Sequence, residues 1–518
     1  MALFNRFLRD QRANVATLFA VAIIPLIGSV GMAIDYSRFA QERTRLGDAL
    51  DAAVLAVGSQ PKMSDTQAFD TVNGWIAAHM KSDPYVLDSV VQNGEGVTGK
   101  AHVDVPMTLS HVLGVDHLTA DVVSQVERTL GKVELVMVLD NTGSMAGTKI
   151  ATLITAANKL VDSLSAAAKD PASLRIGLVP FSQTVSVGPT YQNAPWLDAA
   201  GKSASAKSLF LGQTVNRFDL FKKLGKTWGG CVETRAMPYE ATETYDTGVP
   251  DSLYVPYFAP DEPGNRGVAP YSNSYINDTA VAAIAKSLNV AILKKDEWKY
   301  QQGDVLKYAA GGAQQTGKTS FGYQYGPNSG CEIAPLQRLT SDTGAVKKAI
   351  NAMIAQGNTD IPAGLEWGWN VLSPTGPFAD GKPYGDGEWT KVVVLMTDGN
   401  NENNEGNSND QSYYSGAGYI WQGRMGVTAA DKPTRTKLRD DRLAALCANI
   451  KGAGKTDPRD TDNVTIYTIR VEVKNGSSQV LQKCASDAKK FYDVQNVNQL
   501  VSVFQDIGGS IQKLRIAM

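Results

Sequence analysis

The sequence predicts an α/β protein: a doubly wound, mostly parallel sheet over residues 132–518, with a large inserted lobe at about 187–334, preceded by a transmembrane helix and a small α+β spacer. Three features lead there. From residue 132 onward, short apolar β-branched runs alternate with amphipathic helical stretches, the pattern of parallel strands joined by crossover helices. Near the start, an uncharged run of roughly twenty residues is long enough to span a bilayer. Between two strand–helix units lies a segment rich in Gly, Pro, Asn and Tyr that is too long for a structureless loop. At 518 residues the chain exceeds one ordinary core, and its apolar fraction of 43% is that of a globular protein. A formal net charge of −2, with no basic patch, removes the electrostatic case for nucleic acid.

The N-terminal elements set the compartment. Residues 1–12 carry Arg6, Arg9 and Arg12, a flank that stays in the cytoplasm. Residues 13–34 are free of charge, and Pro25, Gly28 and Gly31 are tolerated in a spanning helix. A cleaved signal peptide would show a shorter apolar core and an A-x-A site. Here D-Y-S-R-F-A-Q-E-R-T-R-L continues as helix instead, so the expectation is a single span with the rest of the chain outside the cytoplasm. Residues 35–130 then form the spacer. Phe39, Leu46, Leu50, Val54 and Val57 recur at helical spacing, residues 60–85 read as a second helix, and A-H-V-D-V-P-M and D-V-V-S-Q-V alternate as strands up to Arg128.

The main domain reads in order as strand 133–139, helix 148–167, strand L-R-I-G-L-V-P-F and, after the insertion, helix 341–355 and helix 362–372. It continues with strand 391–397, helix 437–453, strand V-T-I-Y-T-I-R-V and a closing helix 496–515. The first strand suits a central position buried on both faces. It ends in the loop D-N-T-G-S, which places a carboxylate at Asp140 and hydroxyls at Thr142 and Ser144, with Gly143 allowing the tight turn. Alone, these short polar residues would cap the following helix. They are also hard oxygen ligands of the kind Mg²⁺ takes, part of an octahedral shell completed by water.

This loop resembles the first motif, D-x-S-x-S, of the metal-ion-dependent adhesion site of von Willebrand factor A domains, with Thr142 in place of the first serine. The resemblance implies a threonine from a later loop and an aspartate after a later strand. Thr359, in Q-G-N-T-D-I-P-A-G-L, and Asp398, ending V-V-V-L-M-T-D, stand at those places in the chain order. Ligands of doubly wound sheets bind at strand carboxyl ends, where Asp140 and Asp398 both fall. The implied occupant is Mg²⁺, with Mn²⁺ or Ca²⁺ as alternatives.

The four cysteines lack C-x-x-C spacing and suit disulfides in an oxidising compartment. Connectivity cannot be read from spacing. Cys231 and Cys331 flank one segment of the insertion, Cys447 and Cys484 lie in successive helices, and those two pairs are the expectation. The insertion holds more than half of the 19 Tyr, expected to be buried in the lobe's own core. W-G-G-C-V-E, S-G-C-E-I-A-P-L, L-T-S-D and K-V-V-V-L-M-T-D-G resemble TadG-like proteins of tight-adherence (Flp-type) pilus assembly, and the hydrophobic-then-amphipathic start resembles their TadE-like, pilin-like N-terminus. No Gly precedes the apolar run with Glu five residues on, so prepilin-peptidase cleavage is not expected.

The resemblance implies a single-pass protein of the bacterial inner membrane, most of it in the periplasm or cell envelope. It would bind a protein partner, a pilus or envelope component, whose carboxylate completes the metal's shell. The alternative is a structural pilin-like subunit in which the metal only stabilises the fold. No enzyme is expected, since neither G-x-S-x-G nor H-E-x-x-H occurs. G-A-Q-Q-T-G-K-T at 312–319 fits the phosphate-loop formula, but no apolar strand precedes it and no helix follows, so no nucleotide is expected.

Overall fold

The computed structural model describes residues 13–58, 60, 63–81, 83–93, 96–127, 132–168, 170–262, 273–276, 302–310, 316–319, 322–402, 413–455, 462–473 and 479–513. They divide into two compact units, one within residues 1–129 and 512–518 and one within 130–511.

In the first unit, α1 (Ala13–Gly58) is one continuous helix whose later turns bury Leu46, Leu50, Ala53, Val54 and Val57, the periodic face of the sequence. α2 (Asp65–Met80) begins at a capping box. Ser64 Oγ accepts from Gln67 N, and Gln67 Oε1 accepts from Ser64 N, both at 3.2 Å. Against these helices lies an antiparallel sheet of β1 (Val86–Asn93), β2 (Gly96–Pro106) and β3 (His117–Glu127), in that order. Alternation along β2 turns Val97, Ala101, Val103 and Val105 inward.

Among the described residues, no helix is long and apolar enough to cross a membrane. The Arg-bearing flank 1–12 lies outside them, as do the side chains of 13–21, 24, 25, 27 and 28 within the apolar run. The end of that run is packed on protein. A Cβ on Gly31 would sit 2.7 Å from Leu109 Cβ. One turn on, the buried Asp35 carboxylate accepts the backbone N–H groups of Thr108, Leu109 and Ser110 at 3.3, 2.8 and 2.7 Å, and the Thr108 hydroxyl at 2.9 Å. The Ser110 N–H does most to hold this carboxyl well below the usual carboxylate range, outweighing its burial.

The second unit runs β4 (Lys132–Asp140), α3 (Thr148–Ala167) and β5 (Leu174–Phe181). The insertion follows, with β6 (Val185–Ser186), α4 (Ala204–Leu209), α5 (Arg217–Lys223) and β7 (Cys231–Val232). Then come β8 (Gln337–Thr340), α6 (Thr343–Asn351), α7 (Ile361–Leu372), β9 (Trp389–Thr397), α8 (Lys432–Gly452), β10 (Val464–Val471), α9 (Gln479–Cys484), β11 (Phe491–Val494) and α10 (Leu500–Lys513). Six strands form one sheet in the order β11-β10-β9-β4-β5-β8, parallel except for the β5–β8 pair. The edge strands β8 and β11 were not expected from the sequence; at four residues each they carry too little periodicity.

Val136 and Val138 face α7, where a Cβ on Gly368 would come within 2.4 Å of Val138. The alternate Leu135, Met137 and Leu139 face the other layer.

The lobe differs from expectation. Its aromatics pack on one another, Phe258 lying 5.2–6.3 Å from Phe210, Phe221 and Tyr308 between ring centroids, but this core is continuous with that of the sheet. Trp196 and Tyr254 pack on Trp367 of α7, with ring centroids 5.5 and 4.5 Å apart, in one cluster with Val136, Val179 and Leu365. The reason lies in α7, I-P-A-G-L-E-W-G-W-N-V-L, in which every residue is buried. A sheet covers only one side of a helix that is apolar all round, and the insertion covers the other. The disulfides are Cys231–Cys331 and Cys447–Cys484, with Cα atoms 5.7 and 5.1 Å apart.

The depressed Asp35 pKa fixes the sign of a pH effect. Its stabilisation is present above the unfolded value of about 4 and is lost as pH falls toward the folded one. Replacing Asp35 with Asn should therefore lower the melting temperature at neutral pH. It should also flatten the loss of stability between about pH 5 and pH 2, as followed by circular dichroism; an unchanged acid limb would contradict the clasp.

Candidate metal centre

The register of the sheet builds the site. β4 and β9 are parallel with Leu139 opposite Met396, so Asp140 lies beside Thr397 and one residue short of Asp398 at the same strand ends. Asp140 is fully buried, its Oδ1 accepting from Thr142 N at 2.8 Å and its Oδ2 from Thr397 Oγ1 at 2.6 Å. The Thr142 and Ser144 hydroxyls are 2.9 Å apart, and Ser144 Oγ donates to Asp398 Oδ1 at 2.6 Å. Asp398 Oδ2 accepts from Lys149 Nζ at 2.7 Å, and that ammonium also lies 3.9 Å from Glu472. Burial first, and then the negative charge of Asp398, push the Asp140 carboxyl up to about 6, against the hydrogen bonds from Thr397 and Thr142.

Thr359 enters from the loop between α6 and α7. Gly143 N donates to Gly357 O at 2.8 Å and Gln356 N to Asn141 O at 2.7 Å, which stitches this loop to the first. Thr359 is buried, and its Oγ1 would lie 3.5 Å from a Cβ placed on Gly399, the residue after Asp398. Asp140, Thr142, Ser144 and Asp398 thus form one hydrogen-bonded chain, with Thr359 beside its end.

Several residues around it were missed by the sequence reading. Thr397 orients Asp140, and Lys149 neutralises Asp398. Asp360 caps α7 through Ala363 N at 3.2 Å and is clamped by Arg439 Nη2 at 2.6 Å, while Arg439 Nη1 donates to Glu240 of the insertion at 2.7 Å. Asn401 Oδ1 accepts from Ile361 N at 2.9 Å. The D-I-P start of α7 was a visible cap signal for Asp360; nothing local marked the others. Residues 312–315, the first half of the phosphate-loop match, fall outside the described residues.

Among the described residues, no group of three or more His, Cys, Asp or Glu could hold a metal ion. A cation here needs the hydroxyls of Thr142, Ser144 and Thr359 as well as Asp140 and Asp398. That donor set is all oxygen and carries two carboxylates against one ammonium, which fits a hard divalent cation and not a soft one.

Residues 14–60 match the family model of putative Flp pilus-assembly TadE/G-like proteins. The match covers α1 and no other element of the fold. No curated protein matches the chain. Among solved structures, the chain is similar to the von Willebrand factor domain of the type V pili tip protein Mfa5 from Porphyromonas gingivalis, at 11% identity over 74% of this chain and 96% of that one, TM-score 0.33. It is also similar to the adhesive tip pilin GBS104 from Group B Streptococcus agalactiae, at 10% over 73% and 99%, TM-score 0.34. For the open form of the pilus adhesin SpaC from Lactobacillus rhamnosus GG the figures are 11% over 83% and 34%, TM-score 0.30. Scores this low establish neither a shared fold nor a shared activity.

Two buried carboxylates close enough to repel each other cost stability when no cation is bound. The raised Asp140 pKa means that ionising it above about pH 6 disfavours the folded state. Asp140→Asn should therefore stabilise the chelator-treated protein at pH 7, on the order of 1–3 kcal/mol by urea unfolding; a destabilised variant would show that Asp140 is needed for folding instead.

Proposed function

We propose that this is a membrane-anchored envelope protein of Flp-type pilus assembly, whose α/β unit grips a protein partner through a divalent cation, Mg²⁺ or alternatively Mn²⁺ or Ca²⁺. The observation that carries the reading is the convergence of Asp140, Thr142, Ser144 and Asp398, from loops far apart in sequence, into one hydrogen-bonded chain at the strand ends. Thr359 supplies the fifth group. When bound, the cation supplies a concentrated positive charge that binds an anionic partner group far better in a dry site than in water. The protein's own residues do the rest. Thr397 fixes the Asp140 carboxylate, Ser144 and Lys149 hold Asp398, and Arg439 holds the Asp360 cap that presents Thr359. No catalytic step is part of this reading.

Anchoring rests on the apolar run 13–34. With Gly31 already packed on Leu109, the bilayer part ends by Val30, leaving 18 residues from Ala13, or roughly 27 Å of helix. That is close to the thickness of a hydrocarbon core. The N-terminal flank would stay in the cytoplasm and the bulk of the chain would stand in the periplasm or envelope.

The second reading is a structural, pilin-like subunit in which the cation only stabilises the loops; it is favoured by the family match lying wholly in α1. Pull-down from envelope membranes separates the two. Asp140→Ala should abolish Mg²⁺-dependent capture of a partner with the circular dichroism unchanged, and chelator should do the same to the wild type. Capture that survives chelator rules out the metal reading. Replacing the apolar run with an unrelated anchor should leave capture intact under the first reading and abolish pilus function under the second.

Lys149 gives an independent check. Its ammonium already neutralises Asp398, so it opposes an entering cation. Lys149→Met should tighten Mg²⁺ binding in calorimetry by about tenfold, or ~1.4 kcal/mol; equal or weaker affinity would mean that Lys149 orders the site for the cation.

A further inference from the structure

We propose that the inserted lobe carries a second binding site, a small cavity of mixed polar and aromatic lining beside the candidate metal centre, that takes the hydroxyl edge of a saccharide. The cavity measures about 40 Å³, and its walls include Gln183, Tyr257, Glu262, Thr319, Ser329 and Asn358. It adjoins the metal loops. Asn358 immediately precedes Thr359, and Gly357 is held so tightly between them that a Cβ there would meet Tyr323 Oη at 2.6 Å and Ser182 Oγ at 3.2 Å.

The lining states what it wants. Thr319 is 6% exposed, and its hydroxyl is buried with no hydrogen-bond partner among the described residues. Leaving a buried hydroxyl unpaired is costly, so a ligand group or water belongs there. Gln183 spends its Oε1 on the Tyr323 hydroxyl at 3.5 Å, and its amide NH₂ donates to no described residue. Tyr257 gives its proton to Ser329 O at 2.9 Å and keeps a lone pair. The unspent groups are therefore donors and acceptors side by side, all neutral.

Charge narrows the class. Among the described residues no basic side chain lines the cavity, and Glu262 does, which disfavours an anion. The Glu262 carboxylate is itself engaged, by the Tyr419 hydroxyl at 2.6 Å and Asn273 N at 2.9 Å, so it is not waiting for a cation. A neutral group that donates and accepts from one atom is a hydroxyl. The volume holds two or three waters, so it admits the hydroxyls along one edge of a ring and not a whole ring. Tyr323 and Tyr414 add aromatic surface for the C–H face of a sugar. This site uses its own residues and does not rest on the metal reading.

Saturation-transfer NMR of the full chain in a zwitterionic detergent tests it, with chelator present so that the cation plays no part. The probes are the methyl glycosides of glucose, galactose, mannose and N-acetylglucosamine, with N-acetylglutamine methylamide as the carboxamide control. At least one glycoside should receive saturation. In Thr319→Val the signal should fall about fivefold, the loss of one hydrogen bond, while the melting temperature holds or rises because the hydroxyl has no partner among the described residues. No glycoside binding, an undiminished signal in Thr319→Val, or binding of the carboxamide alone would each overturn the assignment.

Discussion

The β4–β9 register is the constraint on which the rest depends. Parallel pairing sets Asp140 beside Thr397 and brings Asp398 to the same rim, so two carboxylates meet where the strands leave the core. In water such a pair would be inconsequential, but in a dry site their repulsion is several-fold larger. The surrounding residues answer that repulsion. Thr397 and the Thr142 N–H hold one carboxylate, and Ser144 and Lys149 hold the other. A site that served only to close a loop would not need to bury both charges.

The insertion explains why the second loop stays where the first requires it. α7 carries the Asp360 cap at its start and is buried on every side, which only a covering lobe can achieve. The lobe is tied to that cap by charge as well as by packing, since Arg439 joins Asp360 to Glu240. A second buried pair, Arg235 with Glu366 at 2.9 Å, fixes the lobe to the middle of the same helix. Breaking such pairs is costly because it strands a charge, so these pairs hold the lobe to α7 and to the cap beside Thr359.

What the sequence made legible is what is local. The apolar run of β4, the turn after Asp140, the amphipathic face of α1 and the strand ending at Asp398 each state their structure within ten residues or so. The pairing of Cys231 with Cys331 and of Cys447 with Cys484 followed from where the cysteines fall among those elements, and the structure contains both. Lys149, Thr397, Asn401 and Arg439 were invisible because each acts on a residue brought to it by the fold. The short edge strands escaped for want of periodicity, and the lobe was misread as self-contained because composition reports that aromatics are buried without saying against what. Asp35 was a fair miss of another kind. A lone acidic residue after an apolar run reads as a membrane boundary, and only the turn at Thr108–Ser110 shows it to be a clasp.

The donor inventory bears on which of the two proposed roles for a cation is the better one. Structural zinc sites fill every position from the protein, whereas Mg²⁺ ordinarily keeps waters that another oxygen can displace. Here the described residues offer two carboxylates and three hydroxyls, and one of the carboxylates already shares its charge with Lys149. Hydroxyls are weak, neutral donors, so a cation held by them keeps most of its charge and retains an affinity for an outside anion. Positions left to exchangeable water are what an outside carboxylate needs, and it is on that ground that the donor set favours partner capture.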